Sequence, residues 1–399
     1  MSICDRIRTN FSYSAVLLER MWRGFMKKLL AFVLLLSCCF TGATVIWAEP
    51  IKIGLLGPMT GPLANEGQQM KQVVQLLAED LNASGGLLGN KVEIVIADDE
   101  GVPQIGISAA EKLVKQGVVA VIGSSPSPVT AAVQDVFNKA KVIQITNAST
   151  TVPLTEKGIE TFFRICPRDD EQAEAALEVI TEKGYKRVAI LHDNTLYSKG
   201  FARDARARLE AAQFEITFHD ALPPSRGEYK EILTRIKKTN PDVVLFTGYY
   251  PEAAGLLRQK REMHWNMPFI GGDASHNPDL VNIAGKKAVA GFQFLSLPRP
   301  ENLPSPEAKE FLAEFKKQYS HRVSSIYALL AGDAFKVIAL AIERTNSTAP
   351  EKIADYLHDK LENYQGLTGV ISFDQKGDRE GVVFVNYRLN DRGKAVLQF

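Results

Sequence analysis

Cysteine is nearly absent from this 399-residue chain. Of its four cysteines, Cys4, Cys38 and Cys39 fall within the first 48 residues, so Cys166 stands alone beyond that point and no intramolecular disulfide can form there. Following the apolar "TFFRI" run, it is expected to be a buried small hydrophobe. Histidine is also scarce, with six residues, none in the H-E-x-x-H or other paired spacing of a zinc site. The chain has no G-x-S-x-G nucleophile elbow, no G-x-G-x-x-G dinucleotide turn and no G-x-x-x-x-G-K-[ST] phosphate cradle. A surplus of one charge is missing too: Lys and Arg number 47 against 46 acids. Residues 1–48 hold six of the bases and two of the acids, which leaves 41 against 44 and none of the basic excess a nucleic-acid binder needs. No later stretch approaches eighteen uninterrupted apolar residues, so no mature transmembrane helix is expected. These absences point away from catalysis and from bound metal or cofactor.

What is present is strand and helix in alternation. Apolar β-branched runs at 51–56, 91–97, 118–123, 142–146, 187–192, 215–219, 243–247 and 268–271 predict strands. Helical patterns at 67–82, 104–116, 170–183, 201–212, 229–239 and 251–263 lie between them, with 326–345 and 351–362 following. Such alternation predicts parallel sheets with right-handed crossovers, and the chain length predicts two domains. Proline and charge rise around Arg164–Asp169 and Leu295–Pro306, which reads as the chain passing between them.

The amino terminus reads as an address. Met26, Lys27 and Lys28 precede the apolar Leu29–Phe40, and small residues follow up to Ala48, the three regions of a secretory signal. Residues 1–48 are therefore expected to be a leader and the rest an exported, soluble periplasmic product. Ile46 is bulky for the third residue before cleavage, and "LLLSC" ending at Cys38 gives the alternative of a lipid anchor.

Two strand-plus-loop units stand out, "VVAVIGSSPSPVTAAVQDVF" at 118–137 and "VIQITNASTT" at 142–151. Each apolar run ends in a small, hydroxyl-rich loop, and parallel sheets bind ligands at such ends. Ser127 reads as an N-cap with Pro128 at the first helical position, so a hydroxyl and several N–H groups aim at one spot that suits a carboxylate. Taken singly, each residue has a plainer reading, Ser127 as a cap only and Thr150 as ordinary loop. Asp98 and Asp99 close a strand, and without further oxygen ligands they read as caps or solvent-facing acids rather than a cation site.

The motifs also have an order. "IKIGLLGPMTGPLANEGQQM" with an Asn-x-x-Gly-Gly turn, "VAILHDNTLYSKGFARD", "VVLFTGYYPEAAGLLRQ", "PFIGGDASHNPDLV" and "GVISFDQKGDREG" follow one another from about Ile51 to about Leu389. The ordered set resembles the periplasmic leucine/isoleucine/valine-binding protein family, the type I solute-binding proteins of bacterial ABC importers. The resemblance implies an α/β, two-lobed clamshell, each lobe a mostly parallel sheet flanked by helices, with three hinge crossings. Lobe 1 is then 49–168 plus 298–384, and lobe 2 is 169–297 plus 385–399.

The same resemblance implies a monomer that closes over a small-molecule amino acid and hands it to an inner-membrane ABC permease, with no cofactor, metal or nucleic-acid partner. A ligand sensor of the same fold, signalling to a receptor or regulator, is the alternative. Carried over by motif, Ser127 binds the α-carboxylate, while Ala148 and Thr150 give a backbone carbonyl and a hydroxyl with its N–H. Tyr197 and Tyr249 match pocket aromatics, and Asp273 matches the acid that faces the α-ammonium. Glu66 stands where the family carries an aromatic residue against the ligand side chain; it either makes that end of the pocket polar or points to water. Where the family often has a disulfide near the binding loops, this chain places Gly101 and Pro126.

Overall fold

The computed structural model describes residues 49–223 and 227–398. The leader, its cleavage after Ala48 and the anchor at Cys38 lie outside the described residues. Among the described residues no helix is long and apolar enough to cross a membrane.

Two sheets carry the fold. The first is built from β1 (Ile51–Gly57), β2 (Val92–Asp98), β3 (Ala120–Ile122), β4 (Ile143–Thr146) and β5 (Phe162–Arg164) in the order β2-β1-β3-β4-β5, all parallel. Helices α1 (Ala64–Ala83), α2 (Pro103–Lys115) and α3 (Ser127–Lys139) connect its first four strands. Strands buried on both faces need apolar residues at every position, and the alternate residues of β3 show it. Ala120 and Ile122 face one cluster with Leu55 and Ile145, while Val121 faces another with Leu56 and Leu113.

After β5 the chain enters the second sheet through α4 (Asp169–Glu182), then β6 (Arg187–His192), α5 (Leu196–Ala211), β7 (Glu215–Ala221), α6 (Lys230–Lys238), β8 (Val243–Thr247) and α7 (Tyr250–Glu262). It continues with β9 (Phe269–Gly271), α8 (Pro278–Ala284), α9 (Lys286–Val289) and β10 (Gln293–Ser296). Next, α10 (Pro306–Tyr319), α11 (Ile326–Thr345) and α12 (Pro350–Asp359) return to the first sheet, where Phe315, Leu330 and Ile353 join Ile53 and Ile143 in one core. A small hairpin, β11 (Tyr364–Gly366) and β12 (Gly369–Ile371), precedes β13 (Val385–Leu389) and β14 (Ala395–Leu397). The last two extend the second sheet antiparallel, giving β14-β13-β10-β9-β8-β6-β7. The alternation predicts parallel pairing throughout; a short hairpin at the end of the chain has no crossover helix and so pairs antiparallel.

Most predicted elements fall within a few residues of their observed bounds, and β6, β8 and α11 coincide. Two differences bear on the site. Pro126, extended at ψ 128°, occupies the cap of α3, so Ser127 is the first helical residue and Pro128 the second. The proline carbonyl takes the N–H groups of Val129 and Thr130, and no side-chain cap bond is made. Helix α5 begins at Leu196 rather than 201 because Thr195 caps it, accepting from the Ser198 N–H at 3.2 Å. Tyr197 is therefore on a helical turn and not in a loop. Cys166 is buried in the first core, as its apolar context predicts.

Candidate functional site

The strand order sets where a ligand can lie. In the first sheet β1 sits between β2 and β3, and in the second β6 sits between β7 and β8, so connections leave in opposite directions and a crevice opens at the carboxyl ends. Pro58 follows β1, Ser125–Ser127 follow β3, and Ala148–Thr150 follow β4. From the second sheet Tyr197 follows β6, Tyr249 follows β8 and Asp273 follows β9. All seven predicted residues, Glu66, Ser127, Ala148, Thr150, Tyr197, Tyr249 and Asp273, line one cavity. Among the described residues no lysine or arginine lines it.

The first-sheet wall is built from hydroxyls. Gly123, at φ +111°, lets β3 pass so close to β1 that a Cβ there would sit 2.0 Å from the Leu56 carbonyl oxygen. The Ser124 carbonyl that follows accepts from Thr130 (3.0 Å) and Thr146 (2.8 Å), and the Ser125 carbonyl from Ser149 (2.9 Å). With its carbonyls tied inward, the loop delivers a buried Ser127 to the cavity. Because Ser127 is not the cap, its hydroxyl is not spent on its own helix. Its N–H reaches the Tyr249 hydroxyl from the opposite wall. Asp99, which the sequence leaves as a cap or a solvent-facing acid, is fully buried and accepts from Ser124 Oγ (2.5 Å) and the Gly101 N–H (2.8 Å). Asp98 bonds the N–H groups of Met59 (2.9 Å) and Glu100 (2.9 Å), so both acids staple the loops beneath the site.

Opposite lies an acidic, phenolic wall. Asp273 Oδ1 accepts from Tyr197 Oη (2.7 Å), Gln172 Nε2 (3.2 Å) and the Ala274 N–H (2.8 Å), and Oδ2 accepts from Tyr327 Oη (2.5 Å). Gly272 makes room for this cluster, since a Cβ there would lie 2.4 Å from Tyr197 Oη and 2.7 Å from Gln172 Oε1. Burial raises the Asp273 carboxyl above the usual range, against the opposing pull of those donors. The same Gln172 Nε2 lies 3.3 Å from Asp169, a second carboxyl beside the Thr150 hydroxyl. Burial first, and the Asp273 charge second, push the Asp169 carboxyl well up.

Asp169, Gln172 and Tyr327 are site residues that sequence reasoning misses. Asp169 reads as a first-turn acid of α4, and Tyr327 opens an apolar helix where it reads as core. Only the return of α11 to the first sheet places Tyr327 against Asp273. That contact crosses the crevice, as do Tyr250 Oη to the Pro62 carbonyl (2.5 Å) and Asn65 Nδ2 to Asp279 Oδ2 (3.0 Å), so the two walls are closed on each other. Glu66 lines the cavity and accepts from Ser325 Oγ at 2.6 Å; burial raises its carboxyl to about 7.

Comparison with known proteins gives the family and the fold. A family profile described as periplasmic binding protein matches residues 50–385. The Leu/Ile/Val-binding protein BraC3 of Rhizobium johnstonii is 34% identical over 348 residues, covering 87% of this chain and 93% of its own. The Leu/Ile/Val-binding protein of Escherichia coli K12 is 30% identical over 349 residues, with coverage of 87% and 93%. Among solved structures, the leucine-binding protein LivK of Thermotoga maritima superposes with a TM-score of 0.81 at 28% identity, covering 88% of this chain and 98% of its own. LivJ of Streptococcus pneumoniae, a branched-chain amino acid transporter substrate-binding protein solved with isoleucine, gives a TM-score of 0.78 at 29% identity, covering 88% and 100%.

Proposed function

Because the chain belongs to the periplasmic binding protein family, we propose that it is the exported binding component of an ABC importer, closing over a free α-amino acid and presenting it to an inner-membrane permease. The lobes are taken as 49–168 plus 298–384 and 169–297 plus 385–399. One observation carries the reading: a single cavity joins neutral donors on one wall to a buried acid on the other, with no lysine or arginine in its lining among the described residues. A carboxylate would be met by Ser127 at the positive end of α3 and by Thr150, and an ammonium by Asp273. Tyr197 and Tyr249, in contact with each other at a ring-centroid distance of 5.4 Å, would present one aromatic surface to the ligand. The Leu- and Ile-binding relatives support the amino-acid class.

Thermal shift with matched ligands tests the zwitterion grip. Free α-amino acids should raise the melting temperature, while their amides and N-acetyl forms should not, since each removes one of the two charges. Equal stabilisation by N-acetyl forms would defeat the reading.

Closure gives a second test. The contacts from Tyr327, Tyr250 and Asn65 exist only when the walls meet, so ligand and closure stabilise each other. The scattering radius of gyration should fall on saturation with a stabilising amino acid. An unchanged radius would count against a moving clamshell.

A further inference from the structure

Resting on the amino-acid reading, we propose that Glu66 decides the ligand's side-chain class: the cavity favours an amino acid whose side chain ends in a nitrogen–hydrogen donor, a primary amide or a cation, over one that is hydrocarbon to its tip. Glu66 lies in the first turn of α1, with Pro58 and Leu63 beside it in the cavity lining. Its Oε1 accepts from Ser325 Oγ at 2.6 Å, and Oε2 has no protein donor among the described residues. The two phenols that feel its charge, Tyr250 and Tyr327, cannot supply one. Tyr250 gives its hydrogen to the Pro62 carbonyl, and Tyr327 gives its own to Asp273.

Nor does the wall hold a cation for it. His276 lines the same cavity, but its ring stacks on Phe294 with centroids 3.9 Å apart, and its Nδ1 faces Arg299 Nη1 at 3.2 Å. Burial, then the Arg299 charge, keeps that imidazole neutral. The Asn277 side-chain oxygen accepts the Asp279 N–H at 3.1 Å, as the cap of α8. A carboxyl oxygen is thus left for the ligand to satisfy. A hydrocarbon tip would seal it from water unmet, whereas an N–H tip would bond it.

Burial raises the Glu66 carboxyl to about 7, so both protonation states are available near neutrality. The sign separates the two kinds of donor. A cation binds the ionised form, so its affinity should rise from pH 6 to pH 8. An amide is matched by either form, donating to the carboxylate or accepting from the acid, so its affinity should stay flat. The groups facing Glu66 across this range are Ser325, Tyr250 and Tyr327, none of which changes charge below pH 8, with Asp273 and neutral His276 further along the lining.

Calorimetry on the full chain with glutamine, ornithine and norleucine, side chains of similar length and different tips, tests the assignment. Glutamine or ornithine should bind at least tenfold tighter than norleucine. Glu66→Leu should erase that gap without lowering the ligand-free melting temperature, and Glu66→Gln should keep an amide ligand while losing a cation. Norleucine binding as tightly as the others to the parent, or a gap that survives in Glu66→Leu, would overturn the role of Glu66 while leaving the amino-acid reading intact. If no free amino acid bound at all, the amino-acid reading itself would fall and this inference with it.

Discussion

Asp273→Ala should bind the proposed amino-acid ligand about thirty- to several-thousand-fold more weakly, a loss of roughly 2 to 5 kcal/mol. In the closed form Asp273 is 5% exposed and is the acid of the second-sheet wall that lines the cavity. Its removal leaves an ammonium buried with only hydroxyl and amide neighbours. The effect should be confined to binding. Four donors lose their acceptor in the variant, but a carboxylate already raised by burial is relieved of its desolvation, and these changes offset in the empty protein. Asp273→Asn separates charge from shape: it keeps an acceptor for Tyr327 and should still bind nearly as poorly as the alanine variant. Titration calorimetry with melting curves of the empty proteins would check all three statements. Parent-like affinity in Asp273→Ala would remove the residue from the ammonium role.

How far the molecule can be read from its sequence depends on where each residue's partner lies. Strands β6 and β8 are legible because a strand covered on both faces is an unbroken apolar run, and α11 because fourteen of its residues are buried. The three-residue β5 is not legible, since Arg164 interrupts its apolar pattern. That charge is tolerated because Asp378, 214 residues away, meets it at 2.6 Å, and no local signal announces such a partner. Helix α10 is marked by Ser305 and Pro306 at its start, yet its proline-rich approach reads as linker. The cavity follows the same rule. Ser127, Ala148, Thr150, Tyr197, Tyr249 and Asp273 each follow a strand with a recognisable loop, so motif order locates them. Asp169 comes beside Thr150, and Tyr327 into the cavity lining, only through the chain's passage between the two sheets and back, which no window of local sequence contains.

That passage leads to the last expected result: Asp378→Ala should lower the melting temperature by on the order of 10 °C, from a loss of about 3 to 5 kcal/mol. Arg164 is fully buried, and Asp378 is its carboxylate, reinforced by Arg168 at 2.8 Å and Thr155 Oγ1 at 2.8 Å. Deleting the acid strands a guanidinium in the core. The Asp378 carboxyl is held below its ordinary value of 3.8, chiefly by Arg164 against the cost of burial. Its contribution is therefore complete above pH 4 and fades as pH falls through the lowered value, so parent and variant should converge in acid. Binding should suffer as well, because Arg164 Nη1 holds the Thr151 carbonyl at 2.7 Å and the Ser149 carbonyl at 3.3 Å, the two residues that flank Thr150. Replacing the pair together, Arg164→Met with Asp378→Leu, should restore most of the stability, since no buried charge is left unmet, but not the affinity, since the loop loses its clamp. An Asp378→Ala protein that melted within 2 °C of the parent would show that this ion pair does not support the fold, and a double variant that bound normally would show that it does not position the ligand loop.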